Sequence, residues 1–229
     1  MSDVLFDKIV KKLVKDTYLA EFAFRKRECC LIKKTASGFE AIELQHWKGF
    51  DLNRNKVALV IKPLYLKRFD VLHRWFEKFS FKSLLDQRGN YSIGFDGEML
   101  NKTNEFYFLL DGIDFENDFN IFKKEVIKNA DFVFDKYSDI DDLYQYYIEP
   151  VLNKGAELPN VGADWVFEYL TLTKLVKVEY YNLVKNLLEA QVNKLNDRGE
   201  PNIIEYYPKF DEIVSYLENA VLPGSSPSG

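Results

Sequence analysis

Glu105-Phe106-Tyr107-Phe108-Leu109-Leu110-Asp111-Gly112-Ile113-Asp114-Phe115-Glu116-Asn117-Asp118-Phe119 is where this chain changes its rhythm. Up to Leu110 the apolar residues come in short runs with the two-residue period or the length of strands. From Asp114 onward they recur as Phe115, Phe119, Phe122, Val126 and Ile127, the spacing of one helix face. The fold class follows from what lies on either side of this point.

On the N-terminal side, residues 56–66 are the strongest strand, centred on Val57-Ala58-Leu59-Val60-Ile61, with Pro63 marking its end or a sheet edge. Residues 39–47 alternate, with Ile42, Leu44 and His46 on one side and Glu43 and Gln45 on the other. Across the turn Thr35-Ala36-Ser37-Gly38 they face a strand at 30–33, which predicts an antiparallel hairpin. Further strands are expected at 22–25, 91–95 and 105–110, and 49–55 reads as a polar turn. Residues 3–20 read as an amphipathic helix carrying Lys8, Lys11, Lys12 and Lys15 on its polar face. Residues 69–79 suggest a short helix in which Leu72, Trp75, Phe76 and Phe79 share an apolar face and Asp70 is the N-cap.

On the C-terminal side, helices are expected at 114–134, 140–152, 164–175, 178–195 and 208–221, with Pro150 ending or kinking the second. Helix, then strands, then helices predicts an α+β fold: an N-terminal helix, a mostly antiparallel sheet, and a C-terminal all-helical layer. The division expected is 1–112 for helix and sheet, 113–222 for a helical layer packed on it, and 223–229 as a disordered Pro/Gly/Ser tail.

The 229 residues are 47% hydrophobic and 29% charged, which excludes a collagen, a disulfide-stapled miniature and a disordered chain. The 19 Phe, 14 Tyr and 3 Trp imply a core built from rings, and rings are also enriched where proteins meet. No apolar run reaches the ~18 residues of a membrane span. Charges recur from Asp3 onward, so no signal peptide is read and a reducing cytoplasm is expected. In that compartment the adjacent Cys29 and Cys30 are free thiols, one facing inward and one outward on a strand.

The net charge of −5 hides an asymmetry: residues 1–89 hold 19 Lys+Arg and 11 Asp+Glu, whereas 90–229 hold 12 and 25. Such a split marks an electrostatic docking surface, or two halves that attract each other within the fold, or charges that disperse once the chain is folded.

Catalytic motifs are missing. There is no GxxxxGK[ST] or GxGxxG loop to cradle a phosphate, and no GxSxG elbow. The available acid–base groups are His46, His73, Glu43 and Asp96, which an enzyme would need in a site between sheet and helices. Cys29 or Cys30 beside His46 would make a thiolate couple only if the hairpin register placed them on one side. Two His and two Cys are too few for a zinc site, and Asp111, Asp114, Glu116 and Asp118 do not follow the EF-hand spacing. They suit a helix N-terminus that Asp114 caps, so neither a metal nor a cofactor is expected. The lysine stripe is basic enough to meet nucleic acid, but the acidic second half would repel phosphate.

The reading that remains is a non-enzymatic protein-interaction module of immunity or accessory type, meeting a basic protein partner. Residues 96–149 hold 14 Asp+Glu against 5 Lys, with Tyr144, Tyr146 and Tyr147 among them. Asp114, Glu116, Asp118, Asp139, Asp141 and Asp142 are the candidate partner surface.

Phe6-Asp7-Lys8-Ile9-Val10-Lys11-Lys12-Leu13, Phe24-Arg25-Lys26-Arg27, Ile42-Glu43-Leu44-Gln45-His46, Ile61-Lys62-Pro63 and Ser92-Ile93-Gly94-Phe95 form a pattern over residues 5–100. It resembles the uncharacterised bacterial domain-of-unknown-function family 4304, whose members start with a helix and continue into a sheet. The resemblance implies a bacterial cytoplasmic protein with an α+β fold and carries over no functional residue.

Overall fold

The computed structural model describes residues 2–100, 102–155 and 164–220. The tail expected at 223–229 lies outside the described residues. The fold is α+β, with an N-terminal helix, a six-stranded antiparallel sheet and C-terminal helices. The chain divides into two compact units, Met1–Arg68 with Ile93–Lys136, and Phe69–Ser92 with Tyr137–Gly229.

The first unit contains α1 (Ser2–Leu13), β1 (Ala23–Arg25), β2 (Cys30–Lys34), β3 (Gly38–Asp51) and β4 (Lys56–Phe69, whose last residue falls in the other unit). It continues with β5 (Ile93–Asp96), β6 (Phe106–Leu109) and α4 (Phe115–Lys136). The sheet order is β1-β2-β3-β4-β5, with β6 also on β4. Residues Ala58–Ile61 of β4 pair with β6, and Leu64–Lys67 pair with β5. Of the two readings of Pro63, a strand end or a sheet edge, the first does not hold, because β4 runs on to Phe69. Pro63 lies with Lys62 in the gap between two short partners, where a ladder donor is dispensable.

Phe24, Leu31 and Ile42 face one another across β1–β3 on the same side as His46, whose ring stacks on Phe6 of α1 at 3.8 Å. Phe106 and Phe108 of β6 meet Phe122 of α4 edge-on at 5.1 and 5.5 Å. The α4 helix runs alongside the N-terminal segment: the Lys8 ammonium sits over the Phe115 ring, Lys123 pairs with Asp16, and Phe134 stacks near Phe22. Lys67, almost wholly buried, donates to Glu40 and to the Phe134 carbonyl at 2.9 Å, serving an otherwise orphaned acceptor in the last turn of α4. The other face of the sheet carries Cys30, Ala41 and Leu66 with Ile32, Phe39 and Leu64 packed against them.

The first helix is shorter than the 3–20 expected. It stops at Leu13, and a single 3₁₀ turn occupies Tyr18–Glu21.

The second unit is helical: α2 (Asp70–His73), α3 (Leu84–Gly89), α5 (Ile140–Tyr147), α6 (Glu149–Lys154), α7 (Trp165–Val176), α8 (Tyr181–Asp197), α9 (Pro201–Tyr206) and α10 (Phe210–Asn219). Helix α7 is buried on every side, through Trp165, Val166, Phe167, Tyr169, Leu170 and Leu172. Its Thr171 and Thr173 hydroxyls are satisfied by the Phe167 and Tyr169 carbonyls one turn back. Phe167 is the centre of a ring cluster with Phe76 at 4.8 Å, Tyr206 at 5.5 Å and Phe210 at 6.0 Å.

Asp70 is the first residue of α2 and not its cap; its carboxylate pairs with Arg74 one turn on. Pro150 divides the expected 140–152 helix into α5 and α6, as its ring and missing N–H require. The short helices α3 and α9 went unread, because six-residue segments show too little periodicity.

Candidate functional site

The stretch 49–55 reads as a polar turn, but β3 runs on through Asp51 and the turn is confined to 52–55; Phe50 at the end of β3 is 47% exposed and Leu52 in the turn 85%. With Ile121 of α4, 52% exposed, they rim a cleft of about 650 Å³. Thr103, Glu105, Tyr107, Asp114, Asn117 and Asp118 line it. Arg54 forms its floor. The guanidinium donates from Nε to Asp51 at 2.6 Å, from Nη1 to Asp118 at 2.7 Å, and from Nη2 to the Tyr107 carbonyl at 2.8 Å. Three donor directions are thus filled by three acceptors from three separate segments, which fixes the shape of the cleft.

The electrostatics follow from this arrangement. Asp51 and Asp118 share one internal cation. Burial acts to raise the Asp51 carboxyl, but hydrogen bonds from Arg54 and the Asn53 amide outweigh it and hold it below the ordinary carboxylate range. Glu105 accepts from the Tyr107 hydroxyl at 2.6 Å, and neither Glu105 nor Asp114 has a cationic partner among the described residues. Asp114 does not adopt the extended conformation of an ordinary N-cap. Its φ is +60°, in the left-handed region, and its carbonyl accepts the Asp118 amide. Asn55, in the β3–β4 turn beside the cleft, is likewise left-handed at φ +52°.

The six carboxylates expected to form a partner surface have distinct fates. Asp114 and Asp118 line the cleft, and Glu116 pairs with Lys12 of α1. Asp139 and Asp142 form a reciprocal capping box at the start of α5, with Asp142 also accepting from the Ser138 amide at 2.8 Å. Asp141 is exposed in the first turn of the same helix. The 114–118 group belongs to the first unit and the 139–142 group to the second. Much of the charge split resolves within the first unit, where Lys12, Arg54, Lys56 and Lys62 pair with Glu116, Asp118, Asp111 and Asp96.

The four acid–base candidates are not assembled into one site. His46 is stacked on Phe6, with Nδ1 3.3 Å from the Leu44 carbonyl. Glu43, three residues before it, points to the other face of the sheet and accepts from Gln45. Asp96 pairs with Lys62 at 2.8 Å and accepts the Met99 amide. Cys30 lies opposite Glu43 in register, on the face away from His46, so Cys30 and His46 form no thiolate–imidazole couple. Cys29 is not on a strand; it sits in a left-handed position just before β2, its carbonyl accepting the Leu44 amide at 2.8 Å.

His73, in the second unit, keeps different company. Its Nε2 is 2.8 Å from Ser92 Oγ and its Nδ1 is 3.2 Å from a Glu168 carboxylate oxygen. Nδ1–H donating to Glu168 leaves Nε2 to accept the serine proton, the order of donors found in a serine hydrolase. Two observations set it apart from a working nucleophile. Ser92 and His73 are each only 5% exposed, and Ser92 Oγ already accepts the Phe69 amide at 3.0 Å. The chain of bonds joins α2, Ser92 and α7 as a tie inside the second unit.

Among the described residues, no cluster of three or more His, Cys, Asp or Glu is placed to hold a metal ion, and no helix is long and apolar enough to cross a membrane. No family model, curated protein or solved structure matches the chain.

Proposed function

We propose that this is a protein-interaction module, working in the cytoplasm, that uses the cleft beside the β3–β4 turn to hold a basic segment of a partner protein. One observation carries the reading: Phe50, Leu52 and Ile121 converge on a cleft whose remaining free charges are the carboxylates of Glu105 and Asp114. Scattered apolar side chains on a surface are ordinary, but three around one concavity offer the apolar centre and charged rim of an interface. The two carboxylates select a cationic residue flanked by apolar ones, and they favour encounter with a basic protein. An immunity or accessory role fits this chemistry. The likeness of residues 5–100 to domain-of-unknown-function family 4304 assigns no residue and leaves the reading of the cleft unchanged.

The test is fluorescence anisotropy with labelled peptides that interleave Arg or Lys with Leu or Phe, against scrambled and acidic controls. Saturable, salt-weakened binding that L52D and I121D abolish supports the reading. Equal binding to the acidic controls, or binding indifferent to both substitutions, refutes it.

A further inference from the structure

A second feature, in the helical unit, points to a ligand class of its own. Phe79 and Tyr216 meet edge to face with centroids 5.1 Å apart and planes at 63°, forming a two-walled corner. Trp75 backs it, stacked 6.2 Å from Tyr216 and edge-on to Phe79 at 6.3 Å. The Lys78 ammonium occupies the corner, 3.3 Å from the Tyr216 centroid and 4.8 Å from that of Phe79. The corner opens into a cleft of about 640 Å³ lined also by Lys209, Glu212, Ser215 and Asn219. The Trp75 indole N–H is buried and makes no hydrogen bond among the described residues.

Rings that close around a cation through their faces are the device by which proteins recognise alkylated ammonium groups. Here the chain supplies its own cation. Lys78 is exposed along its stem and is carried by the short stretch after α2, so its ammonium is free to leave for water. Tyr216 and Phe79 stay where they are, fixed by the ring contacts behind them. Besides Lys78 the cleft carries Lys209 and Glu212, whose opposite charges offset each other, so the ring faces and not a net field supply the attraction for a cation.

We infer that the Trp75–Phe79–Tyr216 corner is a recognition site for an alkylammonium group carried by a ligand, held in the free protein by Lys78 as a tethered competitor. The competitor lowers apparent affinity by the fraction of time it fills the corner. Removing it while keeping the rings strengthens binding, whereas removing a ring abolishes it. This site is independent of the cleft in the sheet-bearing unit.

The experiment follows the Trp75 indole N–H resonance, assigned with W75F, while tetramethylammonium, choline or a trimethyl-lysine peptide is titrated into the full chain. Dimethylbutanol, the uncharged carbon isostere of choline, and sodium chloride at equal ionic strength are the controls. The expected result is a saturable shift with the ammonium compounds alone, roughly fivefold tighter in K78Q than in the natural sequence. Binding is retained in Y216F, which keeps the ring, and lost in Y216L. Tighter binding of the peptide than of choline assigns the group to a protein ligand, and the reverse assigns it to a free small molecule. The inference is overturned by no saturable shift in K78Q, by an equal response to the isostere or to salt, or by binding that survives Y216L.

Discussion

Arg54 and Asp118, 64 residues apart in the chain, are joined by a hydrogen bond of 2.7 Å that clasps the β3–β4 turn to the first turns of α4. The same guanidinium serves Asp51 and the Tyr107 carbonyl, so one side chain sets the relative positions of three segments around the cleft.

Replacing Arg54 by alanine strands two carboxylates and a carbonyl that are all partly shielded from water. The expected loss is about 2–4 kcal/mol, read as a lower midpoint in urea unfolding. Arg54→Lys is expected to restore less than half, because an ammonium cannot serve three planar directions at once.

Acid should act through the same ion pairs. The folded-state carboxyls of Asp51 and Asp96 both lie below their ordinary values. For Asp96, burial works upward and is outweighed by the Lys62 and Met99 hydrogen bonds. Their stabilisation is fully present above the unfolded aspartate value of about 3.9 and disappears as pH falls through the depressed folded values. Unfolding followed by circular dichroism between about pH 6 and 3 should show stability falling on acidification, and less steeply in K62M than in the natural sequence.

Asp114 separates stability from binding. Its left-handed backbone costs roughly 1 kcal/mol that glycine would not incur. Asp114→Gly is expected to raise the thermal midpoint slightly while weakening the basic peptides in the anisotropy assay. Equal or tighter peptide binding would mean that its carboxylate has no part in the cleft.

Ser92→Ala removes the hydroxyl that bonds the Phe69 amide and His73 Nε2, a loss of about 1–3 kcal/mol. Incubating the folded protein with a fluorophosphonate and weighing it intact should show no adduct. An adduct that vanishes in S92A would instead make the buried Ser92–His73–Glu168 chain a catalytic one.

Thiol chemistry offers a further check. Burial pushes the Cys30 thiol up to about 12, and burial followed by the Glu43 charge raises that of Cys29. At about pH 8 both should react with a chromogenic disulfide reagent far more slowly than a free thiol, and both rapidly once the chain is unfolded.

The fold was legible where periodicity extends over many residues. The unbroken apolar run from Val57 to Ile61, buried on both faces from Ala58 onward, and the ring spacing from Phe115 to Phe122 each report burial directly. Short elements were not legible: six residues of α3 or α9 complete fewer than two turns, and the Ser83 cap of α3 is visible only once its bond to the Asp86 amide is seen. The candidate sites were least legible, because they join distant residues. Phe50 and Leu52 are a readable signal, two apolar residues in a polar stretch, but Ile121 joins them only after α4 is laid along the sheet. The spacing of Trp75 and Phe79 suggests one apolar helix face, and nothing in it announces Tyr216 or the lysine between them. His73 gave no hint of Ser92 and Glu168, which lie 19 and 95 residues further along the chain.

The tandem pairing of β5 and β6 along one side of β4 has a consequence during synthesis. With the chain emerging from its N-terminus, the Leu64–Lys67 half of that side waits for β5 and the Ala58–Ile61 half stays unpaired until Leu109 has been made, about 40 residues after β4 itself is complete. For that interval a run of exposed backbone donors and acceptors invites pairing with neighbouring nascent chains. Pro63, set midway and flanked by Lys62 on one side and by Lys67 and Arg68 further on, interrupts that invitation: it guards the strand before its own partners exist.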